Sequence, residues 1–186
     1  MLSNNKQDAV TVDELDISKY VGRWYQVYAG RLSFVATEGS GSCIAADYGI
    51  VSTNNISVLN QEIASNGNRQ TISGYAYVPD ASEPAQLIVV FPFSSGDYWV
   101  VKLGPDTYGE NGLYQYSVVT DKHKTQLYVL ARDVATFQSE YDAEVTEYLS
   151  SNGFTYYWNT PIATNQDNCT YLDVTSNQKT NYLRGQ

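Results

Sequence analysis

Val21-Gly22-Arg23-Trp24-Tyr25-Gln26-Val27-Tyr28, close to the N-terminus, places a bulky indole just after a glycine and an arginine. A glycine allows close approach of backbone, and the ring beside it fills the space so opened. Alone, the pairing describes an ordinary core tryptophan. It gains weight from the rest of the chain, where runs rich in aromatic and β-branched residues suit the pleated, half-buried surface of a strand. Counting outward from Trp24, such runs fall at 22–31, 42–52, 55–64, 69–79, 85–93, 97–104, 113–121 and 125–132.

The separators are turn chemistry, among them Thr53-Asn54-Asn55, Ser65-Asn66-Gly67-Asn68, Ser94-Ser95-Gly96-Asp97 and Asp121-Lys122-His123-Lys124. Most are hairpin length, so sequence neighbours should pair in space. The stretch 32–41 is the longest connection, of a length that often forms a lid. Over 13–20 the spacing suits a short helical turn that closes one end. From Thr136 to Ser151 the period changes, with Phe137, Tyr141, Val145, Tyr148 and Leu149 on one face and Asn152-Gly153 as the stop. Residues 154–158 read as a return to extended structure. The expected fold is all-β, an eight-stranded antiparallel up-and-down barrel with one C-terminal α-helix packed on the outside. Closure removes exposed sheet edges and leaves an interior wide enough for one small ligand. Residues 1–12 read as a flexible arm, 13–171 as a single domain and 172–186 as a flexible tail.

The chain of 186 residues carries a net charge of -9, with no cluster of Lys and Arg to displace counterions, so nucleic acid is set aside as a partner. Cys43 and Cys169 are the only cysteines, too few for a zinc site and too distant for a redox Cys-x-x-Cys pair. They read as one long-range disulfide, hence a secreted, extracellular protein whose signal peptide has been removed. No apolar run is long enough for a transmembrane helix. His123 sits in a Lys-rich turn without a partner at catalytic spacing. No metal site, nucleotide loop or nucleophile elbow is present as a motif.

Three short motifs then carry a resemblance: Gly22-Arg23-Trp24-Tyr25, Val119-Thr120-Asp121 and Leu130-Ala131-Arg132. In that order they resemble the lipocalin family. Within it, Cys43-Ile44-Ala45-Ala46-Asp47-Tyr48, Ser82-Glu83-Pro84-Ala85-Gln86-Leu87 and Thr164-Asn165-Gln166-Asp167-Asn168-Cys169 are similar to the apolipoprotein D and bacterial lipocalin subgroup. The resemblance implies that Arg132 lies over Trp24 at the closed end of the barrel, a cation–π contact. Tyr128 stands where the subgroup has a pocket tryptophan.

Side chains alternate along a strand, so anchored positions fix the faces of their neighbours. Trp24 inside puts Gln26 and Tyr28 inside, Arg132 inside adds Tyr128 and Leu130, and Cys43 facing out turns Tyr48 inward. For the other strands the resemblance chooses the face: Val58, Asn60 and Glu62; Gly74 and Ala76; Leu87, Val89 and Phe91; Tyr98 and Val100; Tyr116 and Val118. Glu62 reads as a hydrated carboxylate at the rim. Small residues opposite tyrosine rings suit a cavity for an amphiphilic guest, with phenols, Asn60 and Gln26 to meet its oxygen.

The resemblance implies a carrier of a small hydrophobic or amphiphilic ligand: a lipid, sterol, retinoid, carotenoid or bilin-type pigment, with no cofactor beyond that guest. Two other classes compete. A lipocalin-fold enzyme, isomerase or de-epoxidase-like, would need a free pocket thiol or inward carboxylates. An interaction module would use the barrel mouth, where a membrane or receptor contact would fall. A monomer or weak homo-oligomer is expected.

Overall fold

The computed structural model describes residues 7–36 and 41–174, the side chains of 34–36 excepted. Its strands are β1 (Gly22–Gly30), β2 (Ser42–Ser52), β3 (Asn55–Ile63), β4 (Arg69–Tyr77), β5 (Gln86–Phe91), β6 (Ser94–Leu103), β7 (Tyr116–Thr120), β8 (Leu127–Ala131) and β9 (Pro161–Ala163). The sheet order is β2-β3-β4-β5-β6-β7-β8-β1-β9, and a further β1–β2 pairing closes the first eight into an antiparallel barrel. The helices are α1 (Ile17–Tyr20), α2 (Arg31–Ala36) and α3, which runs over 134–151 with a π turn at Phe137–Tyr141.

β1 changes partner half-way. Gly22 to Tyr25 pair with β2, whereas Tyr28, Ala29 and Gly30 pair with β9. Where β2 departs, the Gln166 amide nitrogen donates to both Gln26 O and Ile44 O at 2.8 Å, bridging the opening with side-chain hydrogen bonds. No strand pattern is visible in the sequence at 161–163; the short pairing lays the returning tail along the second half of β1, ahead of the Cys43–Cys169 disulfide.

Two apolar clusters lie on opposite faces of the sheet. One fills the barrel around Trp24, Tyr48, Val58, Leu87, Val100 and Leu130. The other joins the outside of the barrel to α3 through Val101, Leu127, Val129, Phe137, Val145 and Leu149. Asp133 caps α3, accepting from Thr136 N at 2.7 Å.

Three expectations need correction. Residues 154–158 form turns, because Gly153 takes a positive φ of 89° and Asn159 then ties the loop, donating to Gly153 O and Lys124 O. Residues 7–12 of the expected arm are docked: Ala9 N donates to Lys122 O and Val12 N to Val100 O. Leu172 likewise donates its N–H to Gln61 at 2.9 Å. Positions 1–6 and 175–186 lie outside the described residues. The expected lid begins with α2, and its positions 37–40 are outside them too.

Candidate functional site: a barrel with a sealed base and an open mouth

The base is sealed by a stack of charge, indole and phenol. Gly22 takes φ of 101°, and a Cβ there would lie 3.1 Å from Arg132 Nη1, so the glycine is what lets the guanidinium pass. That guanidinium sits 3.8 Å from the Trp24 ring centroid, and it donates to Arg23 O, Lys19 O, Tyr20 O and Tyr114 O. Burial lowers the Arg132 pKa to about 10, which leaves it charged at neutral pH. Trp24, fully buried, donates from Nε1 to Tyr20 O at 2.7 Å.

Above the indole lies a floor of hydroxyls. The Tyr20 hydroxyl shares hydrogen bonds of 2.8 Å with Tyr98 and with Ser117, and Tyr48 meets Tyr98 at 2.9 Å. Each phenol thus finds the partner that burial demands. Tyr20 comes from α1, whose first turn is capped by Asp16, and it was missed because no strand period points at it. Ser117 and Val119 were missed as well; they sit opposite Leu130 and Tyr128 in the β7–β8 register.

Toward the mouth some interior side chains keep solvent access. Tyr48, Val58, Ala76, Leu87, Val89, Phe91, Tyr98, Val100, Tyr128 and Leu130 all join the inner cluster. Asn60 shares its face by pairing with Ala46, and Gly74 by pairing with Val58. A Cβ at Gly74 would lie 2.6 Å from Phe91 Cδ1, so the missing side chain is what lets that ring lie across β4. Glu62 sits at the rim, half-buried, with Oε2 against Gly41 and Ile44 beside it. The Asn60 Oδ1 atom is buried without a hydrogen-bond partner. Ile72, on the same face as Asn60 and Gly74, is still 40% exposed, and Val89, Phe91 and Tyr128 also keep partial access.

Tyr28, Tyr116 and Val118 do not face the interior. A register shift between Gln26 and Tyr28 inserts one residue into β1, which reverses the face of everything after it. Tyr28 therefore points under α3 and donates to Asp142 Oδ1 at 2.6 Å. On β7 the inward positions are Ser117 and Val119; Tyr116 donates to Glu144 Oε1 at 2.8 Å, and Val118 packs in the outer cluster. These two phenols dock the helix and line no chamber. Cys43 and Cys169 are bonded to each other, so neither offers a pocket thiol. Among the described residues no group of His, Cys, Asp and Glu could hold a metal ion.

Desolvation raises the Tyr20 pKa to about 12, and it raises those of Tyr48 and Tyr98 further. An unfolded tyrosine titrates near 10. Above that pH the unfolded chain releases protons the folded chain keeps, so this stability is full below pH ~10 and is lost as pH rises through the folded values. The denaturant midpoint is expected to be level up to pH ~9 and to fall steeply above pH ~10. Phenolate absorbance of the floor tyrosines should appear only as near-UV circular dichroism disappears; one titration of all seventeen tyrosines with an unmoved midpoint would contradict the arrangement.

The match that decides the family spans residues 15–162, which fit a family described as a lipocalin-like domain. The chain is a lipocalin. Temperature-induced lipocalin-1 of Arabidopsis thaliana is 31% identical over 158 residues, covering 80% of this lipocalin and 79% of the plant protein. Apolipoprotein D of Oryctolagus cuniculus is 36% identical over 98 residues, 52% of this chain and 50% of its own. This lipocalin thus spans about half the length of the apolipoprotein D chains it matches. Its fold is similar to that of apocrustacyanin C1, with a TM-score of 0.61 at 17% identity over 89% of this chain and 86% of that one.

Proposed function

We propose that this lipocalin carries a small hydrophobic or amphiphilic molecule in the mouth half of its barrel, in an extracellular fluid. The observation that carries the reading is the contrast within one interior face: side chains at the base are fully packed, while Ile72, Val89 and Phe91 above them keep solvent access. An apolar wall left wet is a standing gain for any guest that dries it. Burying about 300 Å² of apolar guest surface yields roughly 7 kcal/mol before ordering costs. The disulfide supports an oxidising compartment. The exposed rim side chains Leu32, Phe93 and Tyr157 mark where a membrane or receptor contact would fall.

The polar groups narrow the guest's head. Asn60 offers a buried oxygen that needs a donor, and Glu62 stands at the rim. Of the cations near the mouth, Arg69 donates to Gln61 and Thr170 and Lys122 pairs with Asp8, while Arg31 lies over Tyr157 with a buried Nε that has no hydrogen-bond partner. A hydroxyl head, as in a sterol, retinol or a hydroxylated carotenoid, supplies the donor that Asn60 Oδ1 needs, which an ionised carboxylate does not.

Native mass spectrometry and tryptophan quenching with a lipid and pigment panel test the reading. Retinol is expected to bind one to one at micromolar strength, about tenfold tighter than retinoate. Ile72→Trp, which fills the accessible space at a half-open position, should weaken retinol by about tenfold or more. Absence of saturable binding in every class would overturn it.

A further inference from the structure

A second pocket lies outside the barrel, between residues 7–13 and the C-terminal end of α3. It has a volume of about 610 Å³, and Val10, Val101, Tyr148 and Phe154 supply its apolar wall. That size lies within the range of small-molecule sites. Val10 is 71% exposed, although Ala9 and Val12 on either side of it are held to the barrel by backbone hydrogen bonds. The docked arm therefore presents an apolar side chain to the groove and leaves it uncovered.

Two observations point to the charge of the occupant. Three basic residues stand in the β7–β8 turn, and Asp8 engages two of them, Lys122 at 3.7 Å and His123 at 3.0 Å. Lys124 lines the groove, and no carboxylate among the described residues pairs with it. Its backbone is also held at φ of 54°, a left-handed conformation that glycine or asparagine would adopt at less cost. Turn geometry alone does not call for a lysine there. Asp13 borders the same groove beyond Val12, which is hydrogen-bonded down at Val100, so the two ends of the groove differ in sign.

We infer that this outer groove binds a single-chain amphiphile with a carboxylate head, the head paired with Lys124 and the chain lying along Val10, Val101, Tyr148 and Phe154. The lipocalin then holds two sites selective for opposite classes, a neutral guest inside the barrel and an anionic one under the arm. The second site stands whether or not the chamber carries anything.

Dodecanoate titrated into the full chain, followed by methyl NMR, reads the location directly. Shifts are expected at Val10 and Val101, with Ile72 and Val89 unmoved. Lys124→Glu should weaken binding about tenfold or more, while Lys124→Arg stays within about threefold, as a charge-assisted contact requires. Dodecanoate that moves Ile72 and Val89 in place of Val10 and Val101, that binds the Lys124→Glu chain as tightly as the parent, or that does not bind, overturns the inference. Retinol run on the same variants reports the chamber separately.

Discussion

Trp24→Ala is expected to lower the unfolding free energy by about 3–5 kcal/mol, the range for truncating a buried tryptophan. The indole is completely buried and plugs the barrel axis, so its loss leaves a cavity that the closed β-cylinder cannot collapse to fill. Two further terms act in the same direction. Arg132 loses the ring face 3.8 Å away, a contact worth up to about 2 kcal/mol when desolvated. The Tyr20 carbonyl loses the indole N–H, although Arg132 Nη2 still donates to it at 3.1 Å. Trp24→Phe should cost less, because it keeps a ring under the guanidinium and forfeits mainly the hydrogen bond and some volume. Urea unfolding followed by far-UV circular dichroism measures both. A loss under about 1 kcal/mol for the alanine variant would mean that the indole is not the plug.

The same stack bears on function through the shape it imposes. Arg132 binds carbonyls from the segment leading into β1 and from the segment before β7, so it ties the chain entry to the β6–β7 connection across the end of β8. With that end stapled and floored by three tyrosines, a guest has one way in. The entrance then lies between α2 and the β3–β4, β5–β6 and β7–β8 turns, where Leu32 and Phe93 are exposed.

Two parts of the base were legible, because Gly22 two residues before Trp24 and Arg132 after the apolar run Leu127 to Ala131 are motifs that resemble the family's, and the resemblance implied their contact. Strand existence was legible because turn chemistry separates the runs. Facing was harder. Parity carries an anchor's face along a strand only until a bulge, and nothing in Gln26-Val27-Tyr28 announces the extra residue that turns Tyr28 outward. On β7 no anchor existed, and a tyrosine reads equally well as pocket lining or as a helix dock. Tyr116 is the latter, donating to Glu144 on α3, a carboxylate that also pairs with Lys102 and so carries no signal of its own for the tyrosine. Tyr20 and the outer groove escaped altogether, because both arise from segments crossing the barrel, and crossing leaves no period in the sequence.

Removing the disulfide as Cys43→Ala with Cys169→Ala is expected to cost about 2–5 kcal/mol, near the upper end because the two cysteines are 126 residues apart. Most of that loss should originate in the unfolded chain, which gains the freedom a closed loop denies it. The folded tail has other moorings: Gln166 bridges β1 and β2, Arg69 donates to Thr170 O at 2.6 Å, and Tyr25 packs on Tyr171 with ring centroids 4.9 Å apart. Two readouts therefore should separate. The denaturant midpoint falls, while far-UV circular dichroism of the native variant and its retinol affinity stay near those of the parent. Hydrogen exchange then places the remaining effect, with amides from Thr164 to Leu172 exchanging faster and those of β7 and β8 unchanged. A retinol affinity that collapsed with the midpoint would mean that the tail shapes the chamber itself, through the gap where Gln166 stands in for the β1–β2 ladder.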